Sequence, residues 1–180
     1  MAERLKQYLP HEHLMRYGDT VDAVEKSATK AVADFLSLLE ALPDAVRAAP
    51  VAPGKWSPDG FGDHLVKVTE IYLADVRRVA AGGEASRHEP GIMDDRGNMV
   101  VTVEGAQPDP GRDPALLGKD LRRATAELVS FVREAEAAGL GSTVVHVNPY
   151  FGELTPLKCL QLAAAHAVYH RKKHLESLVA

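Results

Sequence analysis

The sequence predicts an all-α protein that folds as a four-helix bundle. Four segments carry apolar residues at helical spacing, and proline and glycine residues separate these segments from one another. Aromatic residues make up only 6% of the chain, so the core must consist mainly of Leu, Val and Ala, which favours close-packed helices. No repeat or composition break divides the chain, and we expect one domain over residues 1–180.

The first predicted helix runs from about Asp19 to Leu42 and ends before Pro43. Its apolar residues are spaced mostly three or four apart, as on one stripe of a helix. The second helix begins at Ser57-Pro58, a capping hydroxyl followed by proline at the first helical position. Gly82-Gly83 ends it.

The third predicted helix begins at Asp113-Pro114 and ends at Gly139, and the fourth begins at Thr155-Pro156. We expect the fourth helix to continue to the C-terminus. Each helix would then contain about 25 residues and measure about 40 Å. Four amphipathic helices of matched length favour a bundle.

Two connections, residues 82–112 and 139–154, are longer than bundle packing requires. The β-branched runs 99–103 and 144–147 are typical of short strands, and we expect them to pair with each other over one end of the bundle. Such loops often shape a pocket. The alternative is that both connections are mobile surface segments.

Composition excludes several classes of function. A formal charge of −4 gives no electrostatic reason to bind nucleic acid, and no apolar run reaches the length of a membrane span. Residues 1–10 contain no apolar signal segment. The single cysteine, Cys159, excludes an internal disulfide, and we expect it to pack as a small apolar residue in a cytoplasmic protein.

The histidines of the fourth helix suggest a metal site. His166, His170 and His174 follow one another at intervals of four, so neighbouring imidazoles share one face. His166 and His174 are about 12 Å apart along the axis, so only one adjacent pair can chelate. Spacing alone leaves open which pair it is. His64, beside the apolar stripe of the second helix, is the candidate third ligand.

Other interpretations compete with a metal site. A buried histidine is often only hydrogen-bonded to a backbone carbonyl, and His174, after three basic residues, is typical of a solvated helix end. We expect His11 and His13 at the surface, while His88 and His146 have no partner set by spacing. Asp63 points away from its neighbour His64 on the helix and is expected to be a solvated carboxylate.

Two stretches together resemble the DinB/YfiT superfamily. Lys55-Trp56-Ser57-Pro58, followed by Gly62-Asp63-His64-Leu65, is similar to the start of that family's second helix. Phe151-Gly152-Glu153-Leu154-Thr155 and then His166-Ala167-Val168-Tyr169-His170 are similar to its last loop and helix. The two stretches occur in the same order as in the family and at a similar separation. The resemblance covers most of the chain from about residue 19.

The resemblance implies an up-down-down-up bundle with a metal-binding triad of His64, His166 and His170. It therefore selects His166 over His174. One departure affects the surroundings of the site, because Lys173 stands where the family often has glutamine. The resemblance also implies a homodimer, and apolar positions that flank the main stripes, such as Ala126 and Val129 on the third helix, are candidates for its interface.

Three histidines leave a metal with open coordination positions, as in catalytic zinc sites, and both zinc and nickel suit imidazole ligands. The resemblance implies either transfer of a low-molecular-weight thiol to an electrophilic small molecule or metal-dependent hydrolysis. The chain lacks a motif such as His-Glu-x-x-His that would supply a general base, which favours thiol transfer. A carboxylate from residues 89–95 folded over the site would favour hydrolysis. A non-catalytic metal-binding or ligand-binding dimer is the remaining alternative.

Overall fold

The computed structural model describes residues 3–95 and 97–179, and four long helices form its bundle. These are α2 (Val21–Ala41), α4 (Pro58–Ala80), α5 (Pro114–Ala137) and α6 (Pro156–His170), with short helices α1 (Glu12–Met15) and α3 (Asp44–Ala48) on either side of α2. The predicted starts of α4, α5 and α6 are confirmed, since backbone amides donate to the side chains of Ser57, Asp113 and Thr155. The four-helix prediction is therefore correct.

Side-chain pairs between the helices give their directions. Helices α4 and α5 are parallel, because Glu70–Arg123 and Arg77–Glu127 follow in the same order along both. Helix α2 is antiparallel to α5, as shown by the pairs Asp22–Arg133 and Glu40–Arg122. It is parallel to α6, since Gln161 contacts the Gly18 carbonyl before α2 and Arg171 pairs with Asp34 further along it. The order is up-down-down-up, so the N-terminal end of α4 meets the C-terminal end of α6.

The core consists mainly of Leu, Val and Ala, as composition predicted. Fully buried leucines include Leu36, Leu121 and Leu160, and burial of each such side chain contributes about 1.5–3 kcal/mol. Val129 also belongs to this intramolecular core, so its assignment to a dimer interface was wrong. Ala126 is exposed.

The last helix is shorter than predicted. Helix α6 ends at His170, and the chain continues as a π-helical turn, Arg171–Leu175, and a 3₁₀ turn, Glu176–Leu178. The wider turn brings Leu175 into the core, where it is fully buried. The change from α-helix to π-helix directly after the histidine pair therefore accompanies the burial of Leu175. The spacing of apolar residues in the sequence does not reveal this change.

The long connections form two small sheets. Strands β1 (Glu3–Arg4), β3 (Ile92–Met93) and β4 (Met99–Val100) form an antiparallel sheet. Strand β5 (His146–Asn148) is antiparallel to β6 (Gly152–Leu154) and parallel to β2 (Ser86–Arg87). The predicted pairing of residues 99–103 with 144–147 is wrong, because each run pairs with a nearer segment across a short turn. No helix in the described ranges is long and apolar enough to cross a membrane.

Candidate metal centre

Three histidines converge where the start of α4 meets the end of α6. The Nε2 atom of His166 lies 3.2 Å from Nε2 of His64 and 2.8 Å from Nε2 of His170. One ligand atom from each residue fits within 4.8 Å of the others. Antiparallel packing of α4 on α6 brings His64 to the histidine pair, as the bundle prediction requires.

A hydrogen bond fixes the tautomer of His64. Its Nδ1 donates to the carbonyl oxygen of Ala106 over 2.6 Å, which leaves the Nε2 lone pair facing His166. His166 Nε2 can hold one hydrogen, which points towards one neighbour. A neutral triad therefore satisfies only one of its two short N···N contacts, and a cation shared by the three lone pairs would remove this conflict. The residues thus fit a divalent metal ion.

Burial keeps these imidazoles neutral. Desolvation lowers the pKa of His64, and the Ala106 carbonyl only partly opposes that shift. Desolvation and the neighbouring ring of His64 hold the pKa of His166 well below its ordinary value. The same causes act on His170. Neutral imidazole is the form that binds metal, so the triad is ready for a ligand role at neutral pH.

Aromatic rings surround the triad. The Trp56 ring lies 4.8 Å from the His64 ring, and Phe61 lies 5.0 Å from His170. His174 stacks on Phe61 at 4.2 Å and 8°, so its prediction as a solvated residue was wrong. Burial and nearby lysines lower the pKa of His174 to about 4. The π-helical turn accounts for this placement, because it changes the angular position of His174 relative to a regular helix.

The triad borders a cavity of about 590 Å³. Its wall includes Trp56, Phe61 and Tyr150 together with residues 98–103, so the long connections do shape a pocket. Within residues 89–95, Asp94 lines the cavity and accepts hydrogen bonds from Asn98. Glu89 instead pairs with Arg4 at 3.3 Å.

Asp63 is buried, contrary to the prediction of a solvated carboxylate. Only 1% of the residue is exposed. Its Oδ2 accepts a hydrogen bond from the Asp109 amide at 2.6 Å, and ion pairs of 3.2 Å join it to Lys67 and Arg112. The helix angle was predicted correctly, but the segment before α5 covers that side of α4. A long-range loop contact of this kind leaves no periodic signal in the sequence.

A second polar cluster was missed by sequence reasoning. His146 Nδ1 donates to Asp75 Oδ2 over 2.6 Å, and Ser86 Oγ donates to the same oxygen over 2.5 Å. Arg78 pairs with the other carboxylate oxygen at 2.5 Å. The network holds β2 and β5 against α4. A histidine inside an apolar β-branched run was the available signal, but nothing in the sequence identified Asp75 as its partner.

The cluster contains the residue types of a serine hydrolase triad without its geometry. Ser86 lies on the Nδ1 side of His146, where Nδ1 already donates to Asp75, so the imidazole cannot take the serine proton there. The Nε2 atom of His146 is buried without a hydrogen-bond partner among the described residues. His146 also lines the cavity beside the triad.

The other histidines and the cysteine considered in the sequence lie outside the triad. His11 Nε2 contacts the Phe151 carbonyl oxygen at 2.6 Å and so is only partly exposed, whereas His13 is exposed as predicted. His88 lies against His146, with ring centroids 5.0 Å apart. Cys159 is fully buried, and desolvation raises the pKa of its thiol, which agrees with its predicted role as an apolar core residue.

Comparisons with known proteins agree with this architecture. The crystal structure of TT2238, a four-helix bundle protein, superposes with a TM-score of 0.58 at 23% sequence identity. The match covers 85% of this chain and 96% of that chain, and it shows a shared fold. No curated protein matches the chain. Residues 28–173, which include all three converging histidines, match the DinB superfamily. The chain therefore belongs to the DinB superfamily.

Proposed function

We propose that the chain binds one divalent metal ion, zinc or nickel, through His64, His166 and His170. The conflict among the three Nε2 atoms supports this proposal, because two short contacts cannot both be hydrogen bonds in the neutral triad. The donor set consists of imidazoles alone, which suits both metals. Within the described residues, no carboxylate or thiol joins the group, so coordination positions remain for a small molecule from the cavity.

We propose that the site catalyses transfer of a low-molecular-weight thiol to an electrophilic small molecule. The observation that carries this proposal is a three-nitrogen centre that opens on a largely apolar cavity. A divalent ion held by the three histidines would favour the thiolate form of a thiol, whose proton passes to solvent, so no carboxylate base is needed. The sulfur would form a bond to the electrophilic carbon as a leaving group such as halide departs. Trp56 and Phe61 lie against the rings of His64 and His170, where they would limit water beside the triad and offer an apolar surface to the electrophile.

The experiment mixes metal-loaded protein with a haloaromatic electrophile, with and without glutathione, bacillithiol or mycothiol. The expected result is conjugation that requires both thiol and metal and disappears in His166→Ala. Metal-free wild-type protein is the matched control, since its amino-acid sequence is the same and it lacks only the metal. Thiol-independent turnover, or full activity in His166→Ala, would overturn the proposal.

Hydrolysis is the second candidate, and the Asp75–His146 pair favours it. His146 lines the same cavity, Asp75 accepts its Nδ1 hydrogen, and its buried Nε2 has no hydrogen-bond partner among the described residues, so this nitrogen is the candidate general base for a water that enters the cavity. Ester hydrolysis without thiol, lost in both His166→Ala and His146→Gln, would establish this function in place of thiol transfer. Thiol conjugation retained in a folded His146→Gln variant would exclude it.

A further inference from the structure

We infer that Asp63 is a positioning residue for the neighbouring His64. Its carboxylate holds the segment that carries Ala106, and the Ala106 carbonyl in turn fixes which nitrogen of His64 is free to bind metal. The inference rests on the proposed metal site and adds to it a residue that does not touch the metal. It follows from an unbroken set of contacts between Asp63 and the His64 ring.

The first part of this set is the attachment of the loop to α4. The Asp109 amide donates to Asp63 Oδ2 over 2.6 Å, and Arg112 lies 3.2 Å from Oδ1. Lys67, one turn further along α4, pairs with Asp63 at 3.2 Å and donates to the Gln107 carbonyl over 2.7 Å. The loop is thereby attached directly after Ala106 and again at Asp109 and Arg112.

The second part is the contact of the loop with His64. Ala106 is buried, and its carbonyl accepts the Nδ1 hydrogen of His64 over 2.6 Å. With the hydrogen on Nδ1, Nε2 presents a lone pair towards His166 and His170. The other tautomer would place a hydrogen at that nitrogen and block coordination. Partners of this kind set ligand tautomer and orientation in metal sites.

Loss of the Asp63 charge should loosen the loop more than it unfolds the bundle. Arg112 also pairs with Asp120, so it keeps a partner when Asp63 is removed. An asparagine at this position keeps one oxygen that can accept the Asp109 amide hydrogen, but it loses the ion pairs with Lys67 and Arg112. The attachment of residues 106–112 to α4 beside the triad is then weakened, because only the Lys67–Gln107 bond and one neutral acceptor remain, while the interior of the bundle keeps its apolar contacts.

The test compares Asp63→Asn with Asp59→Asn. Asp59 is the matched control because it lies on the same helix and pairs with Arg47 at 2.9 Å, yet its pair joins α3 and not the Ala106 segment. Zinc affinity is measured by competition with a chelator, and the His64 tautomer by ¹⁵N NMR of metal-free protein. We expect Asp63→Asn to weaken zinc binding about 10-fold at unchanged stoichiometry and to mix the tautomers. Asp59→Asn should do neither.

A folded Asp63→Asn variant with wild-type affinity and a single Nδ1–H tautomer would overturn the inference. Asp63→Glu separates position from charge, because it keeps the charge but moves the carboxylate by one methylene. Wild-type affinity in Asp63→Glu beside weakened affinity in Asp63→Asn would support the inference, because a longer carboxylate can keep the same ion pairs with the loop. If Asp63→Asn does not fold, Lys67→Met is used, since it removes two of the attachments.

The two proposals fail in different ways. If wild-type protein binds no zinc or nickel, the proposed function fails. The tautomer of His64 in metal-free wild type and Asp63→Asn still decides whether Asp63 positions the ring. If zinc binds but neither affinity nor tautomer depends on Asp63, only the positioning role is lost.

Discussion

The Nε2 atoms of His166 and His170, one helical turn apart on α6, are separated by only 2.8 Å. Two positive imidazolium rings could not remain at this distance, and the pKa of each lies well below its ordinary value because both rings are desolvated. Protons and a metal ion therefore compete for the same nitrogens. Metal binding by the triad and the stability of the protein should therefore both depend on pH.

Removal of any one of His64, His166 and His170 should abolish tight metal binding. Alanine at each position leaves two imidazoles, which are too few for a site with three protein ligands. His174→Ala is the control, because His174 stacks on Phe61 and does not belong to the converging group. Elemental analysis of purified variants gives the result. Stoichiometric metal in His64→Ala would contradict the proposed ligand set.

The metal-free protein should lose stability as pH falls below about 6.5, the ordinary histidine pKa in an unfolded chain. The folded-state pKa values of His64, His166 and His170 are lowered, so below that pH the unfolded chain binds more protons than the folded one. Stability from these groups is complete above the unfolded pKa and decreases at up to about 1.4 kcal/mol per pH unit for each histidine.

Denaturant unfolding between pH 8 and pH 5 measures this dependence. His166→Gln provides the comparison, because it removes one titrating ring and should make the slope shallower. An unfolding free energy that stays constant from pH 7 to pH 5 in metal-free wild type would show that the triad is not desolvated as described.

Asp75→Asn should destabilise the protein by about 2 kcal/mol, because it removes the charged acceptor of the hydrogen bonds from His146 and Ser86. Asp75 is 3% exposed and contacts His146, Ser86 and Arg78, so its loss releases β2 and β5 from α4. Asp22→Asn is the control, since the exposed Asp22–Arg133 pair is screened by solvent and should contribute little to stability. Guanidinium unfolding gives both values. Equal effects would show that the buried cluster has no special structural role.

Gly62→Ala should destabilise the contact between α4 and α5. A Cβ atom on Gly62 would lie 2.5 Å from Cδ2 of Leu117, a fully buried side chain with no space to move. Overpacking costs about 1–3 kcal/mol, and improved helix propensity offsets at most about 1 kcal/mol.

Gly118→Ala on α5 is the matched variant. The atom nearest its added Cβ is the end of the flexible Arg122 side chain at 3.2 Å, so we expect a gain in stability of up to about 1 kcal/mol. Thermal unfolding compares the two. A stabilised Gly62→Ala variant would mean that the helices separate without cost at this point.

The helices of the bundle could be predicted because their signals come from residues close together in the chain. The surroundings of the histidine triad could not, because they depend on contacts between distant segments. Ser57, Asp113 and Thr155 marked helix starts because capping depends on neighbouring residues. The i, i+4 spacing likewise indicated a histidine pair, although the choice of His166 over His174 came from the family resemblance. The buried states of Asp63 and Asp75 could not be inferred, because each depends on a loop or strand far along the chain.

The contact between Trp56 and His64 gives the protein an internal optical reporter. Trp56 is the only tryptophan of the chain, and its ring centroid lies 4.8 Å from that of His64. All indole emission therefore comes from one wall of the cavity. Paramagnetic nickel at the triad would quench this emission, whereas closed-shell zinc would leave it largely intact. The fluorescence of the unlabelled protein can thus distinguish the two metals and follow the entry of an aromatic ligand.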